Sequence, residues 1–113
     1  MINPGLRLFH YGRDMAQVAG DFDATLAAAA GEDAALLAEL RSAFVESLTQ
    51  QIDLLRRSRC DGNWEVAAQR LKGLGASFHA PELVRLADLA LDGAPGEPGV
   101  LRKLERFCGE FTS

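Results

Sequence analysis

Six apolar residues, Leu37, Leu40, Phe44, Leu48, Ile52 and Leu55, recur at steps of three and four. A period near 3.6 gathers them on one side of a helix, whereas a strand would scatter them over both faces. The spacing predicts a helix over residues 33–59 with one long apolar stripe. A helix of that kind is marginal alone, so other elements must cover the stripe.

The rest of the chain supplies them. Alanine and leucine dominate and β-branched residues are scarce, which favours helix throughout. Val18, Phe22 and Leu26 stand four apart and predict a helix over about 15–30, with a possible break at Gly20. Gly31 closes that segment. The run RCDGNW reads as a turn at Asp61, Gly62 and Asn63, with Asn63 capping a helix over about 64–78. Pro81 suits the first turn of a fourth helix carrying Leu83, Leu86, Ala87 and Leu91. A loop crowded with glycine and proline, residues 92–99, precedes a fifth helix over about 98–111, with Leu101, Leu104, Phe107 and Phe111. No stretch alternates as a half-buried strand does. Short connections between amphipathic helices predict an all-α chain. The expected architecture is an antiparallel up-and-down four-helix bundle over about 33–111, with residues 1–30 as an additional N-terminal helical segment. At 113 residues this is a single domain.

Charge and composition narrow the function classes. The formal net charge is −4, which argues against general binding to nucleic acid. There is no apolar run near 18 residues and no secretory leader pattern, so the expectation is a cytoplasmic protein with no membrane partner. Cys60 and Cys108 stand far apart without a CxxC spacing and are read as two reduced thiols, a disulfide being the lesser alternative. Asp14, Asp21 and Asp23 lack the spacing of a metal loop, and no metal or cofactor is expected. Glu32 and Asp33 suit a helix start, and Arg56, Arg57 and Arg59 a helix end. Trp64 is read as a packing anchor.

The third helix carries an unusual outer face. At 100° per residue, with Ala67 at zero, Leu71, Leu74, Gly75 and Phe78 fall within about 80° of it and form the inward stripe. Gln69, Gly73 and Ala76 lie at about 200°, 240° and 180°, nearly opposite, with Lys72 at about 140°. Glycine inside a helix costs about 1 kcal/mol relative to alanine. Gly75 points inward and fits a close approach of two helices. Gly73 points outward, where it fits space kept for another molecule above residue 69 or a tolerated surface glycine.

The segment AAQRLKGLGASFHAPELVRLADLA, with DAALLAELRSAFVESL before it, resembles the signature of histidine phosphotransfer (HPt) domains of two-component phosphorelays. That signature reads approximately A-H-x-L-K-G-x-x-x-x-[apolar]-G-A and continues into a leucine-bearing helix. Ala68, Leu71, Lys72, Gly73, Phe78, Ala80 and Leu83 match in place. The resemblance implies a four-helix bundle whose exposed histidine carries a phosphoryl group between receiver-domain aspartates. It also implies a lysine that helps hold that group and a glycine that opens the approach. Lys72 and Gly73 stand at those two positions, but Gln69 occupies the place of the phosphoacceptor and His79 that of the later glycine.

The first departure decides the chemistry. An imidazole offers a nucleophilic nitrogen, whereas a glutamine amide nitrogen has its lone pair delocalised into the carbonyl. The expectation is therefore a non-enzymatic pseudo-HPt module that binds a response-regulator receiver domain or a histidine kinase without transferring phosphate. Gln69, Arg70, Lys72, Gly73 and Ala76 would form its receiver-binding face. Two alternatives stand beside it. One is active phosphotransfer through His79 or His10, the two histidines of the chain. The other is a helical interaction protein unrelated to phosphorelay, a monomer or a weak homodimer, for which Phe9 and Tyr11 could supply a surface.

Overall fold

The computed structural model describes residues 15–112. Phe9, His10, Tyr11 and Asp14 lie outside the described residues. Within them every element is an α-helix: α1 Met15–Ala30, α2 Ala34–Arg57, α3 Asp61–Ser77, α4 Pro81–Asp92 and α5 Pro98–Thr112.

The helix α1 runs through Gly20 without a break. The roughly 1 kcal/mol that a mid-helix glycine costs is small against the burial of Val18, Phe22 and Leu26 on its inner face. The helix ends where Gly31 takes φ +71°, the left-handed conformation glycine adopts most readily. Asp33 then caps α2, its carboxylate accepting from the Leu36 amide at 3.0 Å. The predicted stripe is present: Phe44, Leu48, Ile52 and Leu55 are buried, with Leu37 and Leu40 half-buried at the outer end. At the other end Ser58 closes the helix, its hydroxyl donating to the Leu54 carbonyl at 2.8 Å.

The start of α3 differs from expectation. Asp61, Gly62 and Asn63 form its first turn, and the N-cap is Cys60, which makes no side-chain capping bond. Asn63 is therefore not the cap. The helix is anchored from inside instead: the Trp64 indole, 3% exposed, donates to the Ala90 carbonyl on α4 at 2.7 Å. Asp61 in the first turn suits the helix dipole. Cys60 and Cys108 form no disulfide, and Cys108 Sγ lies 3.7 Å from Thr49 Oγ1.

The reversal between α3 and α4 is a Schellman turn. The Ala80 amide donates to the Gly75 carbonyl at 2.7 Å and the His79 amide to the Ala76 carbonyl at 3.3 Å. His79 holds the left-handed position, φ +56°, usually filled by glycine. The tightness of the reversal explains Gly75. A Cβ there would meet Val84 Cγ2 at 2.9 Å, Val84 N at 3.0 Å and the Ala80 carbonyl at 3.2 Å.

Packing runs in sequence order and then closes. The helix α2 lies on α3, α3 on α4, α4 on α5, and α5 on α2, while α1 lies against α2 and α5. Leu48, Leu55, Leu71, Leu83, Leu86 and Leu104 are fully buried between them. Aromatic rings gather where α1 joins. Phe22 of α1 stands 4.4 Å from Phe44 and 5.1 Å from Phe111, centroid to centroid, and Phe44 stands 5.2 Å from Phe78. Arg41 adds a cross-link, with Nε 3.2 Å from Asp23 Oδ1 of α1 and its guanidinium 5.8 Å from the Phe111 ring.

Candidate functional site

The outer face of α3 follows from its inner one. Trp64, Ala67, Ala68, Leu71 and Gly75 are buried, and this fixes the rotation of the helix. Gln69, Arg70, Gly73 and Ala76 are then exposed and Lys72 is half-exposed at the edge. Four of these five predicted site residues thus lie open to solvent, and the fifth is partly so. A Cβ added at Gly73 would have nothing within 4 Å, so the strip beside Gln69 is open. The two glycines of LKGLG, two residues apart, are opposite in character: one meets a neighbouring helix, the other meets water.

Lys72 is not a free cation. Its Nζ lies 2.9 Å from Oδ1 of Asp88, which stands on the outer side of α4. Both side chains are near half exposure, at 44% and 49%, so water screens the pair. On the other flank, Gln69 borders a cleft of about 440 Å³ between the first half of α3 and residues 93–95. Trp64 and Leu91 give it apolar walls, and Asp61 and Glu65 give it carboxylates. The surroundings of Gln69 are thus acidic towards the helix start and basic towards its middle, with Lys72 partly neutralised.

His79 stands elsewhere. It lies beyond the end of α3, exposed, and borders a separate cavity of about 320 Å³ whose other walls include Val18 and Phe22 of α1 and Phe107 of α5. It does not share the strip of Gln69 and Gly73. Near it, Glu82 holds the Arg85 guanidinium, with Nε to Oε1 at 3.1 Å. That hydrogen bond, reinforced by the carboxylate charge and opposed by partial burial, raises the Arg85 pKa above its ordinary value. Arg85 therefore stays charged at any pH the fold would meet.

Among the described residues no three His, Cys, Asp or Glu side chains come together as a metal site, and no helix is long and apolar enough to cross a membrane. Compared with models of protein families, with curated proteins and with solved structures, the chain has no match.

Two parts of this site were hidden from sequence reasoning. The partner of Lys72 lies sixteen residues on, in another helix, and no local spacing rule connects them. The cleft beside Gln69 depends on where residues 93–95 turn, which a stretch of glycine and proline leaves open.

Proposed function

We propose that this chain is a pseudo-HPt module of two-component phosphorelay signalling. It folds as an antiparallel up-and-down four-helix bundle formed by α2 to α5, with α1 as an extra element. It binds a receiver domain or a histidine kinase through the outer face of α3, and it carries no phosphoryl group. The closed order of helix contacts supports the bundle.

The observation that carries the docking reading is the open ground around Gln69. Its amide is exposed, the next residue one turn along is a glycine with nothing above it, and Ala76 continues the strip without bulk. A helix surface with no side chain to displace admits a partner backbone or loop at short range. Arg70 flanks the strip and suits the acidic pocket of a receiver, while Lys72, paired with Asp88, stands at its edge. Gln69 contributes hydrogen bonds and no nucleophile. Its partner would be held, competed for or silenced rather than modified.

The test is titration of the purified chain with receiver and kinase domains from its own genome, read by calorimetry, alongside radiolabelled phosphotransfer from the same partners. Saturable binding to at least one of them, with no acid-labile label on the chain, is the expected result. Absence of binding to every receiver and kinase removes the proposal. Label that disappears in His79→Ala or in His10→Ala transfers the function to that histidine.

A further inference from the structure

The substitution at residue 69 removes the nucleophile, yet it is not the only obstacle this surface presents to a phosphoryl group. Lys72 stands three residues on, at the edge of the same face, where a cation could meet the charge of a group carried at position 69. Asp88 Oδ1 holds its Nζ at 2.9 Å. The pair joins two helices whose approach is fixed independently by Gly75 against Val84 and by Trp64 against Ala90, so the carboxylate does not depend on the ion pair for its place.

We infer that Asp88 is a second lock on this face: by occupying Lys72 it withholds the cation a phosphoryl group at position 69 would use. This rests on the reading of residue 69 as an acceptor's place. It adds that restoring the nucleophile alone restores the chemistry only in part.

The lock is a modest one, because both partners are half in water. Releasing an exposed pair of this kind corresponds to about a two- to fivefold change in rate or equilibrium, largest at low salt. Asp88→Asn keeps the shape of the side chain and removes its charge.

The experiment uses phosphoramidate, a small donor that needs no protein partner. An imidazole nitrogen introduced by Gln69→His attacks the phosphorus and forms a P–N bond. The donor's own P–N bond breaks, and its nitrogen leaves as ammonia, with the imidazole proton lost to solvent. Formation of acid-labile phosphohistidine is followed by ³¹P NMR in Gln69→His, Gln69→His/Asp88→Asn, and both again with Lys72→Ala. Background from His10 and His79 is set by the wild-type chain. Circular dichroism confirms that each variant is helical.

The expected result is labelling at position 69 that rises about two- to fivefold with Asp88→Asn when Lys72 is present, and is unchanged by it when Lys72 is alanine. Equal labelling with and without Asp88→Asn overturns the inference, as does a lack of labelling in both. A rise that persists without Lys72 also overturns it, since Asp88 would then act as a bare repelling charge. The receiver titration is independent of this donor. Docking with flat labelling sinks the lock alone, and labelling that responds as expected without docking sinks only the partner.

Discussion

Alanine placed at Gly73 and at Gly75 should move stability in opposite directions, although the two residues are neighbours but one on the same helix. At Gly73 the new methyl enters open space, with nothing within 4 Å. The change removes a flexible residue from a helix interior and should stabilise by about 0.5–1 kcal/mol. At Gly75 the same methyl would lie 2.9 Å from Val84 Cγ2, 3.0 Å from the Val84 amide nitrogen and 3.2 Å from the Ala80 carbonyl. A rotating valine relieves the first contact but not the two with backbone, so α3 and α4 must part or the reversal must distort. Overpacking of this kind costs about 1–3 kcal/mol, and the helix gain offsets part of it. The two variants should differ by about 2 kcal/mol, equivalent to roughly 8–12 °C in melting temperature for a domain near this size. Thermal melts followed at 222 nm, at one concentration and pH, measure the difference. A Gly75→Ala protein that melts with or above the wild type would refute the close approach of α3 to α4. A Gly73→Ala protein that melts below it would refute the open strip. If the docking proposal holds, Gly73→Ala is also the stabilised variant that binds its receiver less well.

Further outcomes follow from the other features. His79→Gly should stabilise by about 0.5–1 kcal/mol, the left-handed penalty of a side chain less the extra freedom glycine has when unfolded; a urea midpoint that does not rise would count against the turn. Phe22→Ala should cost about 3–4 kcal/mol, because the ring it deletes touches Phe44 and Phe111 across two other helices. A fully helical protein with unchanged urea stability would show α1 to be energetically separate. Asp33→Ala should lower stability by about 1 kcal/mol through loss of the bond to the Leu36 amide, measured in the same titration.

The helices were readable because their apolar periods are regular and their ends carry strong signals. Asp33, Gly31 and Pro81 each act through a local rule, and each stands where that rule puts it. Asn63 failed because a capping preference is worth only about 1 kcal/mol, and a buried indole bonded to another helix outweighs it. Gly20 failed similarly, since helix propensity yields to burial on the opposite face. The exposure of Gln69 followed from the angular position of its inward neighbours, which is geometry contained in one helix. What surrounds it did not follow. Asp88 reaches Lys72 only once α3 and α4 have folded back on each other, and His79 takes a backbone conformation that its side chain disfavours. Information of that kind resides between segments.

The lone tryptophan of the chain gives this protein a built-in optical probe at an informative spot. Trp64 is tied to α4 by its indole while one side of it borders the cleft next to Gln69. Phe22, Phe44 and Phe111 cluster instead where α1 joins and do not compete with it in emission. Fluorescence excited at the indole band therefore watches the Gln69 flank, unlabelled, and a visitor settling there changes its colour or brightness in proportion to occupancy.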